Sequence, residues 1–468
     1  MDLFGQLAAQ GAMIERLSSD SRRCAPGVAF FAYPGESADG RAHIGDALAR
    51  GASAVLWEKE GFDWRSEWRV PHVAVQGLKQ RAGVLAHEFY GRPSESLWVC
   101  GVTGTNGKTS SSQWIAALLD KAAVIGTLGA GFPGALSAAS NTTPDALETH
   151  FLLGSFKRAG AAAVAMEVSS HGLVQGRVNG VRFACALFTN LTHDHLDYHG
   201  SMANYAAAKS KLFDAQGLQA AVLNLDDLLG MELARRLAGR VRTIGYSLSR
   251  REAPVDEYIV EGIESSWGVA KVRLPVLGRF NVSNALGVLG CLVASGVPFG
   301  EAARRLESLP PVPGRMQVVG EAPLVVIDYA HTPDALENVL QALRPAAAAR
   351  GGRLAVVFGA GGDRDPSKRP LMGAVAARLA ERVLLTSDNP RREDPLAIIE
   401  AIRKGIATRH EVEADRARAI EQAILQADRA DVVLIAGKGH ETYQEIAGRR
   451  THFSDEQHAR AALLRRPR

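Results

Sequence analysis

A short apolar strand, a glycine-rich loop and an amphipathic helix follow one another in LWVCGVTGTNGKTSSSQWIAALLD, residues 97–120. Glycines in such a loop let the backbone N–H groups converge on an anion at the helix N-terminus. Lys108 then reaches the β- and γ-phosphates of a nucleotide, and the Thr109 hydroxyl becomes a ligand of Mg²⁺. The loop is a variant, because Val102 stands where the common spacing has its first glycine. The segment predicts an α/β nucleotide-binding domain.

The composition is that of a globular protein with about three domains, since the chain has 468 residues, 46% apolar and 22% charged. Its 47 glycines gather in loops, which excludes collagen-like and low-complexity chains. The net charge of +4 is too small and too scattered to predict nucleic-acid binding. Four widely spaced cysteines show no metal-binding pattern and predict free thiols: Cys24, Cys100, Cys185 and Cys291.

The chain offers no obvious membrane or export segment. Its N-terminal residues lack a basic stretch followed by an apolar core, which a secretion signal requires. The longest uncharged apolar stretch, 285–299, is interrupted by Gly, Ser and Pro and is shorter than the roughly 18 residues of a spanning helix. We therefore expect a cytoplasmic protein without a membrane partner.

Three zones of the chain differ in their patterns of apolar and polar residues. Residues 1–97 mix short strand-like runs with helical stretches, and residues 98–313 contain the phosphate loop. The Pro-rich stretch LPPVPGR, 309–315, predicts a linker that acts as a hinge. Residues 314–468 alternate continuous apolar runs with helical patterns, which predicts a buried parallel sheet. Ligands of such a sheet bind at the carboxyl ends of its strands.

Acidic and imidazole side chains follow two further apolar runs of the central zone. Glu167 ends the run AVAME. Five more follow the run ACALFTN: His193, Asp194, His195, Asp197 and His199. Such groups at strand ends beside a phosphate loop are natural Mg²⁺ ligands. Zinc is disfavoured, because the segment has no cysteine and no HExxH spacing. For His193 and His199, a hydrogen-bonding role within the loop is the simpler interpretation.

Ten motifs occur along the chain in this order: GVTGTNGKT, MEVSSHGL, FTNLTHDHLDYHG, YAAAK, GRFNVSN, PGRM, DYAHTPDAL, GGDRDPSKRPLMG, DNPR and AGKGHE. Together they resemble the Mur ligases of bacterial peptidoglycan synthesis over nearly the whole chain. The central motifs are shared with folylpolyglutamate synthetases. DYAHTPDAL, GGDRD and DNPR are much narrower in their distribution.

The resemblance implies an α/β fold of three domains: an N-terminal UDP-binding domain (1–97), a central P-loop ATPase domain (98–313) and a C-terminal Rossmann-like domain that brings the amino acid (314–468). It implies a monomeric ligase that uses ATP and Mg²⁺. Its small-molecule substrates are UDP-N-acetylmuramoyl-L-Ala-D-Glu and meso-2,6-diaminopimelate. The D-glutamyl carboxylate takes the γ-phosphate to become an acyl phosphate, and the incoming amine displaces phosphate through a tetrahedral intermediate.

The resemblance also assigns residues. The implied nucleotide contacts are Gly104, Thr105, Asn106, Gly107, Lys108, Thr109, Ser110, Asn284, Arg315 and Asp328. The implied ligands of two Mg²⁺ ions are Thr109, Glu167, His195 and a carbamylated Lys209, of which His195 and Lys209 are catalytic together with Lys108. Taken alone, Lys209 in NYAAAKSKLF predicts only a surface lysine. The implied contacts to the UDP-linked substrate are Ser19, Ser21, Glu36, Ser37, Ala38, Asn141, Thr142, Thr143, Ser169, Gln175 and Arg177.

The amino-acid site implied by the resemblance begins with DNPR, after the predicted strand RVLLTS. It consists of Arg364, Asp388, Asn389, Pro390, Arg391, Gly437 and Glu441. A guanidinium holds a carboxylate through two parallel hydrogen bonds, so Arg391 suits the distal carboxylate of diaminopimelate, which lysine lacks. Glu441 suits an ammonium group of the same amino acid.

Two other functions remain open. One is a ligase of the same superfamily that adds lysine or glutamate, against which Arg391 and the N-terminal domain argue, since a folylpolyglutamate synthetase lacks that domain. The other is a phosphotransferase or nucleotide switch built on the phosphate loop. That protein would need no amino-acid-binding domain and would release no phosphate in response to an amine.

Overall fold

Four parallel strands form the N-terminal sheet of the computed structural model, which describes residues 3–36, 38–139, 141–249, 257–260 and 264–466. In sheet order they are β1 (Arg16–Ser18), β2 (Val28–Ala32), β3 (Ala54–Glu58) and β4 (His72–Val75). The helices are α1 (Leu3–Ala9), α2 (Ile44–Ala49) and α3 (Leu78–Phe89). Phe31 packs with Leu85 of α3, and Phe30 packs with Ile44 of α2 on the opposite face. Strand β2 is apolar throughout because both of its faces are buried.

The central sheet has eleven strands among the described residues, in the order β15-β14-β13-β12-β11-β10-β5-β9-β6-β7-β8. They are β5 (Trp98–Thr103), β6 (Ala122–Gly126), β7 (Gly129–Phe132), β8 (Ala135–Ser137), β9 (Ala163–Glu167), β10 (Cys185–Phe188), β11 (Ala220–Asn224), β12 (Arg242–Ser247), β13 (Glu257–Val260), β14 (Glu264–Ser265) and β15 (Gly268–Val269). Strand β5 lies in the middle and pairs in parallel with β9 and β10. The carboxyl ends of these three strands therefore meet at one edge, where ligands of such sheets bind.

Helices cover both faces of the central sheet. They are α4 (Lys108–Leu118), α5 (Ala146–Arg158), α6 (Ser170–Val174), α7 (Leu196–His199), α8 (Met202–Ser210), α9 (Leu228–Leu237), α10 (Arg279–Ala294) and α11 (Phe299–Arg305). Short 3₁₀ helices occur at Ser21–Arg23, Gly40–His43, Pro93–Glu95, Lys211–Asp214 and Leu306–Ser308. Helix α10 is almost entirely apolar because it packs between the sheet and its neighbouring helices.

Three of the four cysteines meet in this core. Cys100 of β5 and Cys185 of β10 are register partners on adjacent parallel strands, so their side chains share one face, on which Cys291 of α10 packs. The three thiols are fully buried, and their sulfur atoms lie within 4.8 Å of one another. All four cysteines, including Cys24, are free, as predicted. Nothing in their spacing along the chain indicates this cluster, in which the thiols pack as small apolar side chains.

The C-terminal sheet has the strand order β16-β17-β21-β18-β19-β20, with β16 antiparallel to an otherwise parallel sheet. Its strands are β16 (Gln317–Glu321), β17 (Leu324–Asp328), β18 (Leu354–Phe358), β19 (Arg382–Leu385), β20 (Glu411–Val412) and β21 (Val432–Ala436). A hairpin follows, formed by β22 (Tyr443–Ile446) and β23 (Arg449–His452). The helices are α12 (Pro333–Ala349), α13 (Lys368–Leu379), α14 (Pro395–Arg403), α15 (Arg416–Leu425) and α16 (Asp455–Leu464).

The Pro-rich stretch between the second and third sheets is divided between two domains. Leu309 and Val312 are buried in the central core, and the Pro310 carbonyl accepts a 2.9 Å hydrogen bond from Trp114 Nε1. Gly314 instead packs on the C-terminal domain, where an added Cβ would lie 2.2 Å from the backbone nitrogen of His440. The boundaries at 97 and 313 stay predictions, but this change of contacts lies next to the second of them.

The described helices include none that is both long and apolar enough to span a membrane.

Candidate active site

The carboxyl ends of the central and C-terminal sheets face each other across a cavity of about 840 Å³. Most of the predicted site residues line it: Thr105, Asn106, Gly107, Lys108, Thr109, Ser110, Asn141, Thr142, Thr143, Glu167, Ser169, Arg177, His195, Asn284, Arg315, Asp328, Arg364, Asp388, Asn389, Arg391, Gly437 and Glu441. The fold thus brings together segments that are more than 300 residues apart in the chain.

The other predicted residues do not line this cavity. Gly104 belongs to the phosphate loop and Lys209 lies behind it, Gln175 accepts hydrogen bonds from Arg177, and Pro390 lies within the DNPR loop. Four lie in the N-terminal domain: Ser19, Ser21, Glu36 and Ala38. Ser37 lies outside the described residues.

The phosphate loop connects β5 to α4 and takes its shape from two glycines. Gly104 and Gly107 have φ angles of +151° and +85°, which are unfavourable for any residue with a Cβ atom. Lys108 Nζ donates to the carbonyls of Gly104 (2.9 Å) and Thr105 (2.8 Å), so its ammonium lies within the curl of the loop. Burial lowers the pKa of Lys108. The N-terminus of α4 and this ammonium both favour an anion at the loop, and anion binding there stays a prediction.

A methyl group at position 104 is expected to damage this loop. In Gly104→Ala, the added carbon would lie 1.9 Å from Thr189 Oγ1, the hydroxyl that donates to the Asn106 carbonyl at 2.6 Å. We expect a loss of about 1–3 kcal/mol in the free energy of unfolding, together with weaker ATP binding. Thermal unfolding with and without ATP measures both. Gly300→Ala is the matched control, because open space surrounds that helical glycine; an equal loss in both variants would contradict the close contact.

Glu167 and Thr109 form an oxygen-rich pair beside the loop. Glu167 is fully buried at the end of β9, and its Oε2 accepts from Thr109 Oγ1 at 3.0 Å. Thr127 donates to both carboxylate oxygens of Glu167, from its backbone nitrogen at 2.8 Å and its hydroxyl at 3.1 Å. Arg315 Nη2 reaches the Thr109 hydroxyl at 3.2 Å from the start of the C-terminal domain. The carboxylate is thus held in a fixed orientation beside the phosphate loop.

His195 and Lys209 occupy the other side of the loop. His195 has a left-handed φ of +55°, and its Nε2 lies 3.4 Å from Asp194 Oδ2. Burial lowers the pKa of His195, which keeps the imidazole neutral and able to bind a metal. Lys209 is 1% exposed and donates to the Gly104 carbonyl at 2.8 Å. Burial, with Lys108 nearby, brings the pKa of Lys209 well below its usual value. The lysine is therefore not the surface residue that its helix alone predicts.

The predicted nucleotide contacts differ in what they do. Asn284 lies against the phosphate loop, since a Cβ on Gly107 would lie 2.4 Å from its Oδ1. Arg315 stacks over the ring of Tyr329 at 4.4 Å. Asp328 lines the cavity, but its two oxygens accept from the backbone nitrogens of Met316 and Ala330, each at 2.8 Å. Asp328 therefore also holds the start of the C-terminal domain in place.

The amino-acid loops lie at the ends of β19 and β21. Arg391 has a left-handed φ of +53° and donates through Nη1 to the Gly362 carbonyl at 2.6 Å. Asn389 Nδ2 donates to Glu441 Oε2 at 2.8 Å. Gly437 leaves room for Asp388, because an added Cβ would lie 2.4 Å from the Asp388 Oδ2 atom. A guanidinium and two carboxylates thus face one cavity, as an amino acid with charges of both signs requires.

The N-terminal domain reaches the same region through Tyr33. The Tyr33 hydroxyl hydrogen-bonds Ser19, and burial raises the pKa of Tyr33 to about 12. Arg177 lies near Tyr33 and Asp145 and donates to the Thr143 carbonyl at 2.8 Å. Arg177 is thus a cation between the N-terminal domain and the phosphate loop.

Sequence reasoning missed several polar residues of this region. Thr127 donates to Glu167 and lies in none of the ten motifs. Thr189 donates to a carbonyl of the phosphate loop and lies in FTNLTHDHLDYHG, but its residue type does not distinguish it from Thr192 in the same motif. His331 and Lys368 lie near Asp194, and together with His195 they lower the pKa of Asp194 against the effect of its burial. Lys438 carried the clearest overlooked signal, because it lies inside AGKGHE between two assigned positions and is fully buried.

Comparison with known proteins matches this arrangement over most of the chain. Profiles described as Mur ligase family catalytic domain, Mur ligase middle domain and Mur ligase glutamate ligase domain match residues 13–90, 102–292 and 314–439. UDP-N-acetylmuramoyl-L-alanyl-D-glutamate--2,6-diaminopimelate ligase of Pseudomonas aeruginosa is 52% identical, over 98% of this chain and 97% of that protein. The protein of the same name from Chromobacterium violaceum is 51% identical, over 97% and 95%.

Solved structures agree. One of a ligase of that same name is 37% identical, covers 96% of this chain and 95% of its own, and has a TM-score of 0.65. Folylpolyglutamate synthase of Mycobacterium tuberculosis, complexed with ADP, is 20% identical, covers 83% of this chain and 94% of its own, and has a TM-score of 0.60. At that identity the second likeness concerns the fold alone.

Proposed function

The chain belongs to the Mur ligase family, and from that premise we propose its reaction and the residues that perform it. It is an ATP-dependent, ADP-forming ligase that adds meso-2,6-diaminopimelate to the D-glutamyl carboxylate of UDP-N-acetylmuramoyl-L-Ala-D-Glu. One observation carries the assignment of sites: Lys108 of the phosphate loop and Arg391 of the amino-acid loop line the same cavity. Such a ligase must bring a nucleotide phosphate and an amine to one carboxyl carbon.

The first step places a carboxylate against a polyphosphate, so positive charge has to offset their repulsion. Lys108 lies within the phosphate loop, and Arg315 reaches its rim at Thr109. In our proposal these two cations hold the γ-phosphate while the D-glutamyl carboxylate attacks it. The bond from the γ-phosphorus to its bridging oxygen breaks, so ADP leaves and an acyl phosphate forms. The amine then attacks the acyl carbon, loses a proton and expels inorganic phosphate.

The donor atoms beside the loop suit Mg²⁺. Glu167 and Thr109 offer oxygen ligands 3.0 Å apart, which is the ligand chemistry that Mg²⁺ prefers. His195 and Lys209 flank the other side, and Lys209 becomes an oxygen donor only as a carbamate. Mg²⁺ bound there would neutralise phosphate charge and polarise the transferred phosphoryl group. Thr109, Glu167, His195 and carbamylated Lys209 are accordingly the proposed ligands.

The UDP-linked substrate is proposed to lie between the N-terminal domain and the phosphate loop. Arg177 and Thr143 border the cavity on this side, and Tyr33 connects them to Ser19. A guanidinium beside hydroxyl groups suits a substrate that carries a diphosphate and a carboxylate. A monomer in the cytoplasm, as the family resemblance implies, completes the proposal.

Phosphate release from ATP tests the proposed function. The assay contains UDP-N-acetylmuramoyl-L-Ala-D-Glu with meso-diaminopimelate, with L-lysine or with no amino acid, and the product mass is recorded. We expect release that depends on diaminopimelate and a product heavier by one diaminopimelate less water. Release with lysine instead would keep the ligase and overturn the role of Arg391. Release that ignores both amino acids would favour phosphotransfer without amide formation.

A further inference from the structure

We propose that Lys438 is a positioning residue for the amino-acid substrate: its buried ammonium fixes Glu441 so that one carboxylate oxygen is presented to the cavity. The proposal rests on the function proposed above and extends it to a residue that does not itself line the cavity. It is argued from the backbone around Lys438, from the hydrogen bonds of its ammonium group and from the remaining free atom of Glu441.

The backbone after β21 is shaped to bring this lysine inside. Gly437 and Gly439 flank it with φ angles of +114° and +54°. A Cβ on Gly437 would lie 2.4 Å from Asp388 Oδ2, and one on Gly439 would lie 2.9 Å from the Cβ of Tyr329. Both positions require glycine, so the Gly-Lys-Gly turn is a fixed structure. Between them Lys438 is 0% exposed, which is rare for a lysine unless it is paired.

Three polar side chains form a closed triangle of hydrogen bonds. Lys438 Nζ donates to Asn389 Oδ1 and to Glu441 Oε2, each at 3.0 Å. Asn389 Nδ2 donates to the same Oε2 at 2.8 Å. The backbone nitrogen of Glu445 donates to Asn389 Oδ1 at 3.0 Å, which fixes the orientation of the amide. Each of the three side chains is thus held by the other two.

The triangle leaves the two oxygens of Glu441 unequal. Oε2 accepts from both Lys438 and Asn389, whereas no hydrogen bond reaches Oε1 from any residue that the structure describes. Glu441 lines the cavity, and its side chain is 17% exposed. Oε1 is therefore the atom available to an ammonium group of the incoming amino acid. Without Lys438, a single amide would hold the carboxylate, and its negative charge would lose its buried partner.

The test is a double-mutant cycle in the full-length enzyme. Lys438→Met, Glu441→Gln and the double variant are assayed for the Michaelis constants of diaminopimelate, ATP and the UDP-linked substrate. We expect each single change to raise the constant for diaminopimelate roughly ten- to a hundredfold, with those of the other two substrates within about twofold of wild type. In the double variant, the Michaelis constant for diaminopimelate is expected to stay within about twofold of the higher of the two single-variant values, because both changes remove the same contact.

Several outcomes overturn the proposal. An unchanged constant for diaminopimelate in Lys438→Met does so, as do single effects that multiply in the double variant, since a merely structural lysine would act independently of Glu441. Lys404→Met is the matched control, because Lys404 is an exposed lysine of the same domain. If Lys438→Met does not fold, Lys438→Gln replaces it, keeping an N–H donor without the charge, with an expected rise of at least about fivefold.

The wild-type enzyme separates this proposal from the proposed function. If it accepts another amino acid and not diaminopimelate, the substrate assignment fails, and the cycle run with the accepted amino acid still decides the role of Lys438. If it ligates diaminopimelate but the cycle shows no coupling, only the role of Lys438 fails. If no amino acid stimulates phosphate release, both proposals are overturned.

Discussion

Lys209→Ala is expected to lower turnover by about 10³-fold or more, the loss typical of removing a group that stabilises charge in a transition state. Lys209 Nζ lies beside Lys108 and donates to the Gly104 carbonyl, so it contacts the phosphate loop directly. Two cations this close repel each other, but a carbamate on Lys209 would turn one of them into an oxygen ligand for Mg²⁺. Steady-state phosphate release measures the effect.

The low pKa of Lys209 supports this chemistry. Burial and the charge of Lys108 favour the neutral amine, whose lone pair adds to CO₂ and gives a carbamate and one proton. A short carboxylate such as acetate is expected to restore part of the turnover of Lys209→Ala. Lys211→Ala is the control, since Lys211 is exposed two residues further on. Unchanged turnover in Lys209→Ala would remove this lysine from the proposed metal site.

Arg391→Ala is expected to raise the Michaelis constant for diaminopimelate by roughly tenfold to a thousandfold. The guanidinium is held at the rim of the cavity by the Gly362 carbonyl, and the left-handed backbone of Arg391 directs the side chain there. A carboxylate of the substrate would lose a two-point partner in the variant. Initial rates over a range of diaminopimelate concentrations measure the change, with ATP and the UDP-linked substrate saturating.

The neighbouring arginine provides the control for that experiment. The Arg392 side chain is 85% exposed and pairs with Asp363 at the surface, so Arg392→Ala removes the same charge from the same loop without touching the cavity. The Michaelis constant of Arg392→Ala for diaminopimelate is expected to stay within about twofold of wild type, because exposed ion pairs contribute little free energy. Equal effects of the two substitutions would indicate a general electrostatic influence and would contradict direct contact by Arg391.

Short sequence patterns predicted those parts of the structure that residues adjacent in the chain determine. The strand, glycine-rich turn and helix of the phosphate loop are confirmed, because one short segment determines them. That these residues bind phosphate stays a prediction. The end of β9 at Glu167, and the end of β19 shortly before Asp388, followed from apolar runs that stop at polar residues. The alternation of apolar runs and helical patterns in residues 314–468 likewise predicted the parallel C-terminal sheet, in which only β16 among the described strands is antiparallel, whereas the α/β fold of three domains came from the family resemblance.

The remaining features depend on contacts between distant segments. Lys209 looked like a surface residue because its helix carries no sign of the loop that covers it. The triangle of Lys438, Asn389 and Glu441 joins two loops about 50 residues apart, and only the order of the strands places them together. A charged side chain becomes buried only when the sheet assembles, so the residues next to it in the sequence do not reveal its burial.

The distribution of cysteines gives the chain a built-in reporter of unfolding. Cys24 is buried in the N-terminal domain and the other three thiols in the central core, while no cysteine lies beyond Cys291. In the native enzyme, all four thiols are therefore shielded from a thiol reagent. When the protein unfolds, the number of thiols that react shows which of the first two domains has opened. Rapid reaction of one thiol indicates that the first domain has unfolded, and rapid reaction of three indicates that the second has. Unfolding of the third domain alone exposes no thiol. Damage to the phosphate-loop domain can thus be told from damage to the amino-acid domain without any added label.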